Sequence, residues 1–292
     1  MKNLQSKKMK IVKIGGVPEH FNLAWYLTLK DGEYKKKGIN LRWKDYHGGT
    51  GQMCKALRNK DIDIAVILTE GIVKDIIDGN DCKIVQIFVK SPLVWGIHVA
   101  EKSKFKTVKN LKGTRAAISR YGSGSHLMAY INAENNKWNL ETDLNFEVVK
   151  NLDGAVKSLT NEEADYFMWE KFTTKPLVDA NIFRRIGNCP TPWPCFVIAV
   201  RQEFIDNEKK ALKIILDIIN NTTKDFKNIP SIDKTIANRY DQKLDDVQQW
   251  LAITEWSQKQ ISEATLDKVQ DELFRLNIIQ NKLSYNKIVE QI

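Results

Sequence analysis

Short apolar runs alternate with amphipathic segments from Lys10 to Val200, and this alternation constrains the fold more than any other feature. The run from Ile62 to Leu68 is almost entirely β-branched or apolar, which is typical of a parallel strand buried on both faces. Phe21, Trp25 and Leu29 recur at helical spacing, so the segment around them predicts a helix. Strands separated by helices predict βαβ units, right-handed crossovers and an α/β fold.

The same patterns predict the remaining elements. Predicted strands cover 11–15, 40–46, 62–68, 83–89, 93–100, 114–118, 144–149, 164–169, 183–186 and 195–200. Predicted helices cover 18–30, 48–59, 71–78, 127–138 and 152–159, and the chain beyond residue 200 is expected to be helical to its end. Ser231 and Ser262 are predicted helix N-caps.

Two of these strands are candidate crossovers between lobes, Leu93–Ala100 going out and Cys195–Val200 coming back. A chain that builds one α/β lobe, then a second, and returns to the first forms a two-lobed protein with a hinge and a helical C-terminal tail. We expect lobe one at 10–92 plus 196–292 and lobe two at 95–192. Ligands of such folds bind between the lobes, where strands end and helices begin.

Length and charge narrow the function classes. A chain of 292 residues is long enough for two lobes with separate cores. Its net charge of +9 comes from lysines spread along the whole sequence, without an arginine-rich, aromatic-interleaved stretch, so no nucleic-acid partner is predicted. A diffuse basic surface favours anionic small molecules instead. No apolar run is long enough to span a bilayer, so no membrane insertion is predicted.

The cysteines and the N-terminus indicate the compartment. Cys54, Cys82, Cys189 and Cys195 lack the spacing of a zinc site or a disulfide framework and are interpreted as free thiols. The polar, basic segment Met1–Lys10 contains no apolar region of signal-peptide length. We therefore expect a cytoplasmic protein without a metal site, with a periplasmic location as the alternative if an export signal was trimmed.

A glycine- and serine-rich loop joins the predicted strand at 114–118 to the following helix, with the sequence Ser119-Arg120-Tyr121-Gly122-Ser123-Gly124-Ser125-His126. Two glycines permit a tight turn, and hydroxyls and helix N–H groups converge where the helix dipole favours negative charge. These features predict a cradle for a small anion or an acceptor-rich group. The alternative is a serine N-cap with glycines that serve only the turn.

Other strand-to-helix loops carry polar or aromatic residues that the predicted topology places at the same edge of the sheets. A single cleft would collect them. The candidate ligand-binding residues are Glu19, His20, Asn22, Gly49, Thr50, Thr69, Glu70, Trp95, Arg120, Tyr121, Ser123, Ser125, His126, Trp169, Glu170 and Trp193.

Structural roles compete with these assignments. His20 and His126 fall in the first turns of helices, where surface or capping roles are common. Glu70 could hold a ligand amine or complement a helix N-terminus, and Glu170 could belong to an internal ion pair. Trp95, Trp169 and Trp193 could stack on a planar ligand or pack in the core or hinge.

Catalytic motifs are missing from the sequence. It contains no G-x-S-x-G elbow, no H-E-x-x-H metal helix, no P-loop lysine and no complete dinucleotide fingerprint around Gly122-Ser123-Gly124. No catalytic residue and no cofactor are therefore predicted.

Taken together, Gly48-Gly49-Thr50, the loop 120–126 and the order of lobes resemble the type II periplasmic-binding-protein superfamily. Within it the chain is most similar to the nitrate/sulfonate/taurine receptors and the thiamine-pyrimidine-synthase-like proteins. The segments 16–22, 68–73 and 169–176 resemble a subgroup of fungal and bacterial proteins without export signals and with unknown ligands. The resemblance covers roughly residues 10–205.

This resemblance implies a hinge-closing solute-binding protein with Ser123, Ser125 and His126 at the anchor of lobe two. It also implies two alternatives. One is an enzyme of thiamine-pyrimidine metabolism with His20 or His126 as acid–base group, although the iron-binding cysteine cluster of such synthases is missing. The cysteine nucleophile of the family's desulfinases is also replaced here by Glu19-His20. The other alternative is a conventional ABC-transporter receptor with a permease partner.

Overall fold

Two five-stranded mixed sheets organise the chain in a computed structural model that describes residues 9–292. The basic pair Lys7-Lys8 lies outside the described residues. The strands are, in chain order, β1 (Lys10–Gly16), β2 (Ile39–Asp45), β3 (Ile64–Leu68), β4 (Cys82–Val89), β5 (Val94–Ala100), β6 (Arg115–Ile118), β7 (Asn145–Val148), β8 (Tyr166–Glu170), β9 (Phe183–Pro190) and β10 (Phe196–Arg201).

Helices occupy the connections and most of the chain after β10. They are α1 (Leu23–Lys30), α2 (Glu33–Lys36), α3 (Gly49–Arg58), α4 (Thr69–Ile77), α5 (Gly124–Asn135), α6 (Leu152–Thr160), α7 (Lys175–Asp179), α8 (Gln202–Lys224), α9 (Ile232–Tyr240), α10 (Leu244–Ile253), α11 (Glu263–Arg275) and α12 (Tyr285–Ile288).

The two sheets have the same arrangement. The first has strand order β2-β1-β3-β10-β4, in which β1 is parallel to β2 and β3, and β10 is antiparallel to β3 and β4. The second has order β7-β6-β8-β5-β9, in which β6 is parallel to β7 and β8, and β5 is antiparallel to β8 and β9. In each sheet the antiparallel strand is the first one formed after the chain crosses from the other sheet. We call the first sheet and its helices lobe one, and the second sheet and its helices lobe two.

The two crossovers run side by side. The chain leaves lobe one after β4 and returns to it before β10. The Leu93 N–H donates to Thr191 Oγ1 at 2.9 Å, and the Thr191 N–H donates to the Leu93 carbonyl at 3.0 Å. These bonds tie the outgoing segment to the returning one, so a hinge at this point bends both connections together.

Apolar side chains from both lobes form one large core that continues through the crossover strands. The buried β3 and β10 lie at its centre in lobe one, which explains their unbroken apolar sequences. Lobe two has an additional small cluster on the other side of its sheet, which includes Ala117, Phe167 and Phe183.

The C-terminal helices complete lobe one. Helix α8 packs on β10 and α1, and α11 packs on α4. Val289 and Trp256 form isolated bridges to Ile84 and Val89 on the edge strand β4, so the tail also covers that edge. Residues 9–292 include no helix of the length and apolarity that a bilayer crossing requires.

Three local predictions need correction. Strand β9 continues to Pro190 instead of ending at Ile186, because a proline at the end of an edge strand costs no ladder bond. Ser231 does not cap α9, since its left-handed backbone (φ 56°) differs from the extended conformation that an N-cap requires. Helix α5 begins at Gly124, three residues before the predicted start, while Ser262 does cap α11.

Candidate ligand-binding site

A cavity lies between the lobes at the carboxyl ends of the parallel strands. It contains about 580 Å³ of empty space, its open mouth included, which is within the usual range for small-molecule sites. Both lobes contribute to its wall. The lining residues are Val17, Glu19, Gly48, Gly49, Thr50, Leu68, Leu93, Trp95, Ser119, Arg120, Ser123, Gly124, Ser125, Trp169, Glu170 and Phe196.

The lobe-two wall contains a hydrogen-bonded serine cluster at the N-terminus of α5. The Ser119 N–H donates to Ser125 Oγ at 2.9 Å, and the Ser123 and Ser125 hydroxyls lie 3.1 Å apart. Ser123 caps the helix by accepting the His126 N–H at 3.3 Å. Gly122 has φ 73°, a left-handed conformation that glycine adopts at little cost and that lets the chain turn into the helix. The loop therefore contains both the Ser123 cap of α5 and the hydrogen-bonded serine cluster.

Arg120 reaches from lobe two to lobe one. A Cβ placed on Gly51 of α3 would lie 2.4 Å from Arg120 Cζ, so the guanidinium sits directly against the first turn of that helix. Arg120 also lines an adjoining pocket, together with Glu70 and Lys74. It is a cation shared by the cavity and this adjoining pocket.

The lobe-one wall is formed largely by backbone and small side chains. Gly48 and Gly49 precede and begin α3, and Gly49 has φ 62°. The Gly48 N–H donates to Gln52 Oε1 at 3.0 Å. Thr50 follows them in the first turn, so this part of the wall lets a ligand approach the main chain closely.

Two carboxyl groups face the cavity from opposite lobes. Glu170 is only 4% exposed, and its Oε2 accepts the Phe172 N–H at 2.9 Å, the Thr173 N–H at 2.6 Å and the Thr173 hydroxyl at 2.8 Å. Burial raises the pKa of Glu170, although these donors oppose the rise. Burial also raises the pKa of Glu19 to about 8, and the negative charge of Glu170 adds to that effect.

Aromatic and aliphatic side chains line the rest of the cavity. Trp95 and Trp169 meet edge to face with ring centroids 6.2 Å apart, and Phe196 completes the aromatic surface. The Trp95 side chain is buried, and its Nε1–H has no hydrogen-bond partner among the described residues.

Comparison with known proteins identifies this architecture. A family model described as Ca3427-like PBP matches residues 95–189, which belong to lobe two. Over the whole structure, the Candida albicans CA3427 gene product superposes with a TM-score of 0.88, at 24% identity and with 97% of each chain covered. That protein is described as exhibiting the generic periplasmic binding protein structural fold. The chain has the type II periplasmic-binding-protein fold.

Further solved structures share this fold. The alkanesulfonate-binding protein SsuA from Xanthomonas axonopodis pv. citri, bound to MOPS, has a TM-score of 0.82 at 16% identity, with 98% of this chain and 99% of that chain covered. The periplasmic nitrate-binding protein NrtA from Synechocystis PCC 6803 has a TM-score of 0.72 at 13% identity, with 96% and 84% covered. No curated protein sequence matches the chain.

Nine of the residues predicted from the sequence line the cavity of this binding-protein fold, and seven do not. Those in the wall are Glu19, Gly49, Thr50, Trp95, Arg120, Ser123, Ser125, Trp169 and Glu170. Those outside it are His20, Asn22, Thr69, Glu70, Tyr121, His126 and Trp193.

His20 belongs to an aromatic cluster behind the cavity wall. Its ring stacks on Phe21 at 5.0 Å and meets Trp250 edge to face at 4.2 Å. Burial lowers the pKa of His20 to about 3, so the imidazole is neutral at physiological pH. His20 lies outside the lining, which removes the geometric basis for an acid–base role there.

His126 supports the loop before α5 from behind. Its Nδ1 accepts the Gly122 N–H at 3.1 Å, and its ring packs against Phe146 at 4.7 Å. Burial lowers the pKa of His126 to about 4. Tyr121 is 65% exposed and lines only the adjoining pocket that Arg120 also lines. Both residues shape the serine-rich loop without facing the cavity.

The other four residues stabilise the segments around the crossovers and the first loop. The Trp193 Nε1–H donates to Glu70 Oε2 at 2.9 Å, and the Thr69 hydroxyl donates to the Pro194 carbonyl at 2.5 Å. These bonds attach the returning crossover to the start of α4. Asn22 Nδ2 donates to the Val17 carbonyl at 2.8 Å and closes the loop that presents Glu19.

Sequence reasoning missed the apolar part of the wall. Val17, Leu68, Leu93 and Phe196 lie at strand ends or in a crossover, where their apolar side chains look like ordinary core residues. The positions of Val17 and Leu68 at the carboxyl ends of predicted strands are a signal that could have found these two, whereas Leu93 and Phe196 lie at the amino ends of the crossover strands. Within residues 9–292, no group of three or more His, Cys, Asp and Glu side chains is placed to hold a metal ion.

Proposed function

We propose that this protein is a solute-binding protein that closes its two lobes over a small polar or anionic molecule. The observation that carries the proposal is the interlobe cavity, whose wall combines charged and hydrogen-bonding groups from both lobes with aromatic surface. Small-molecule sites have this composition, with a few polar groups placed in a mainly apolar wall.

Donors at the Arg120 end of the cavity favour an acceptor-rich group. Arg120 provides a permanent cation, and the first turns of α3 and α5 point toward the same region. Arginine binds oxyanions with paired N–H donors, and helix N-termini add to the attraction.

The structural relatives support the same ligand class. They include an alkanesulfonate-binding protein bound to MOPS, a nitrate-binding protein, and PhnD1 from Prochlorococcus marinus in complex with methylphosphonate. Each of these ligands presents several acceptor oxygens. Another structural relative is the ligand binding component of an ABC-type import system from Staphylococcus aureus. A permease partner for this chain is therefore a further proposal. Co-purification of the protein with a membrane fraction would test it.

Isothermal titration calorimetry tests the ligand class directly. We expect at least one of propane-1-sulfonate, propionate, methylphosphonate and nitrate to bind wild-type protein. Arg120→Gln should weaken that binding by about tenfold or more, which corresponds to about 1.4 kcal/mol. Arg115→Gln is the matched control, because Arg115 is exposed and paired with Asp165 away from the cavity.

Native mass spectrometry of the protein as purified complements the titration, since a retained molecule would identify the ligand class. If no compound in the panel binds and no small molecule is retained, the proposed function is wrong. Equal losses of affinity in the Arg120 and Arg115 variants would show that the interlobe cavity is not where the anion binds.

The compartment is also a proposal. Four buried cysteines remain free thiols, which supports a reducing cytoplasmic environment. Subcellular fractionation of the native protein tests this, and recovery in a secreted or periplasmic fraction would contradict it.

A further inference from the structure

The cavity has an acidic end formed by one carboxyl group from each lobe. Glu19 follows β1 in lobe one, and Glu170 ends β8 in lobe two. Neither carboxyl forms an ion pair among residues 9–292. The Glu19 side chain makes no hydrogen bond within that range either, while Glu170 uses only its Oε2, so its Oε1 is left without a protein donor.

The acidic end is separate from the arginine end. Arg120, Thr50, Leu68 and Gly124 line both the cavity and the adjoining pocket, whereas Glu19 and Glu170 line the cavity alone. Arg120 therefore lies at the side of the cavity next to that pocket, and it forms no ion pair with either carboxyl group among the described residues. A molecule that fills the cavity contacts a cation at one end and two carboxyl groups at the other.

Aromatic side chains border the acidic end. Trp95 is the register partner of Glu170 across β5 and β8, and Trp169 precedes Glu170 on the same strand. An apolar, water-poor wall makes an unpaired carboxylate costly, and indole rings attract cations through their faces. Carboxylates flanked by tryptophans form an environment that suits a positively charged nitrogen.

We propose that the ligand carries a cationic nitrogen, such as an ammonium or a protonated amidine or ring nitrogen, which binds between Glu19 and Glu170 while its acceptor-rich group binds near Arg120. This inference rests on the proposed function and narrows its substrate class to molecules with both a positive and a negative group. A purely anionic ligand would place apolar or negative atoms against the two carboxyl groups.

Binding of such a ligand is coupled to proton release. Burial and the charge of Glu170 raise the pKa of Glu19 to about 8, so its carboxyl is largely protonated at pH 7 in the free protein. A cation beside it favours the carboxylate and expels the proton. Affinity for the cationic group should then increase with pH up to about 8 and level off above it.

The other titratable groups around the pair do not provide the missing cation. Tyr240 of α9 lies near Glu19, and its own pKa is raised by burial; the neighbouring His20 is neutral. Lys171 and Arg185 interact electrostatically with Glu170, but neither forms an ion pair with it among the described residues, and Lys171 Nζ lies over the Phe172 ring.

Cys195 also faces the carboxyl groups. Burial first, and then the charges of Glu70 and Glu170, raise the pKa of its thiol. This thiol is therefore neutral at physiological pH and supplies no charge to the pair.

A pair of nearly isosteric ligands tests the inference. 3-Aminopropane-1-sulfonate and butane-1-sulfonate differ by an ammonium in place of a methyl group. We expect wild-type protein at pH 8 to bind the amino compound about tenfold more tightly or better, a difference of about 1.4 kcal/mol. Glu19→Gln should reduce this preference to about threefold or less, and Glu141→Gln, which removes an exposed charge from lobe two, should leave it unchanged.

A measurement on wild-type protein alone makes the test independent of variant folding. Titrations of the amino compound at pH 7 in Bis-Tris and in Tris, two buffers without an oxyanion, should differ in apparent enthalpy, because a released proton is taken up by the buffer. Between pH 8 and pH 6 the affinity for this compound should fall by up to about tenfold per pH unit, while that for butane-1-sulfonate should not fall.

The possible results of these experiments test different parts of the inference. Equal affinity for the two sulfonates, or a preference that survives Glu19→Gln, overturns the inference and leaves the proposed function standing. Identical enthalpies in the two buffers overturn the coupling to Glu19. Failure of both sulfonates to bind overturns the inference together with sulfonate binding, and the wider panel and native mass spectrometry then decide the proposed function.

Discussion

The two walls of the cavity are built differently. In lobe two, the polar groups are held by their own neighbours: Ser125 accepts the Ser119 N–H, and Glu170 accepts three donors. In lobe one, the Glu19 side chain has no hydrogen-bond partner within the described residues, and the α3 start is mostly glycine. The comparison indicates that lobe two supplies a preorganised surface and that lobe one supplies groups whose partners come with the ligand.

The largest expected difference in stability is between substitutions of the two carboxyl groups. Glu170→Leu should lower the free energy of unfolding by about 2 kcal/mol or more, because it leaves the buried Phe172 N–H and its neighbour without an acceptor. Glu19→Leu removes no hydrogen bond and should be neutral or stabilising at pH 7. Urea denaturation of both variants measures the difference, and equal losses would contradict the contrast.

The pH dependence of the Glu19 variant sharpens this result. The pKa of Glu19 is about 8 in the folded protein against about 4.5 in the unfolded chain, so the wild type loses stability as pH rises between these values. Below about pH 4.5 Glu19 causes no loss of stability, and above about pH 8 the loss no longer changes with pH. The stability of Glu19→Leu relative to wild type should therefore increase over that window. A difference that stays constant with pH would contradict the assignment.

A substitution at the contact between the walls should weaken ligand binding without unfolding the protein. In Gly51→Ala the new methyl group would occupy the position of the Arg120 guanidinium, and the flexible arginine tip would move away. We expect about tenfold weaker binding of an anionic ligand, or about 1.4 kcal/mol. Lys213→Ala, at an exposed position of α8 that does not line the cavity, is the control and should change affinity by about threefold or less. Calorimetry on both variants measures this, and equal effects would contradict the cross-lobe role.

Substitutions of two serine N-caps with the same local geometry distinguish effects on stability from effects on ligand binding. Ser123→Ala should cost about 1 kcal/mol of stability and also weaken ligand binding, because Ser123 both caps α5 and lines the cavity. Ser262→Ala removes an equivalent cap from α11 and should cost a similar amount with unchanged affinity. Thermal denaturation and calorimetry report the two quantities, and equal effects on binding would argue against a ligand role for Ser123.

The smallest effect is expected at an ion pair between the lobes. Arg275 of α11 contacts Glu134 of α5, and both side chains are partly exposed. Arg275→Gln should change stability by less than about 1 kcal/mol and reduce ligand affinity slightly at low salt, since the pair favours the closed lobes. Lys282→Gln breaks a pair with Asp271 inside lobe one and is the control. A loss of affinity that persists at high salt would contradict an electrostatic origin.

Different parts of the site were predictable to different degrees. The loop around Ser123 was identified because its glycines, serines and following helix are adjacent in sequence. Trp193 was predicted to be a ligand contact, but it donates to Glu70 at a crossover, since its partner lies far away in the chain. His20 was chosen for its chemistry, and packing placed its ring among Phe21 and Trp250.

By itself, the sequence determined the alternation of strands and helices, the two crossovers and the glycine- and serine-rich turn before α5, because periodicity and turn chemistry act over a few residues. Only the tertiary structure decided that Arg120 lies against Gly51, and that His20 and His126 lie behind the wall. Those contacts depend on how the two lobes bring together residues that are far apart in the sequence. The pKa of a carboxyl group likewise depends on burial and on neighbouring charges that no local pattern specifies.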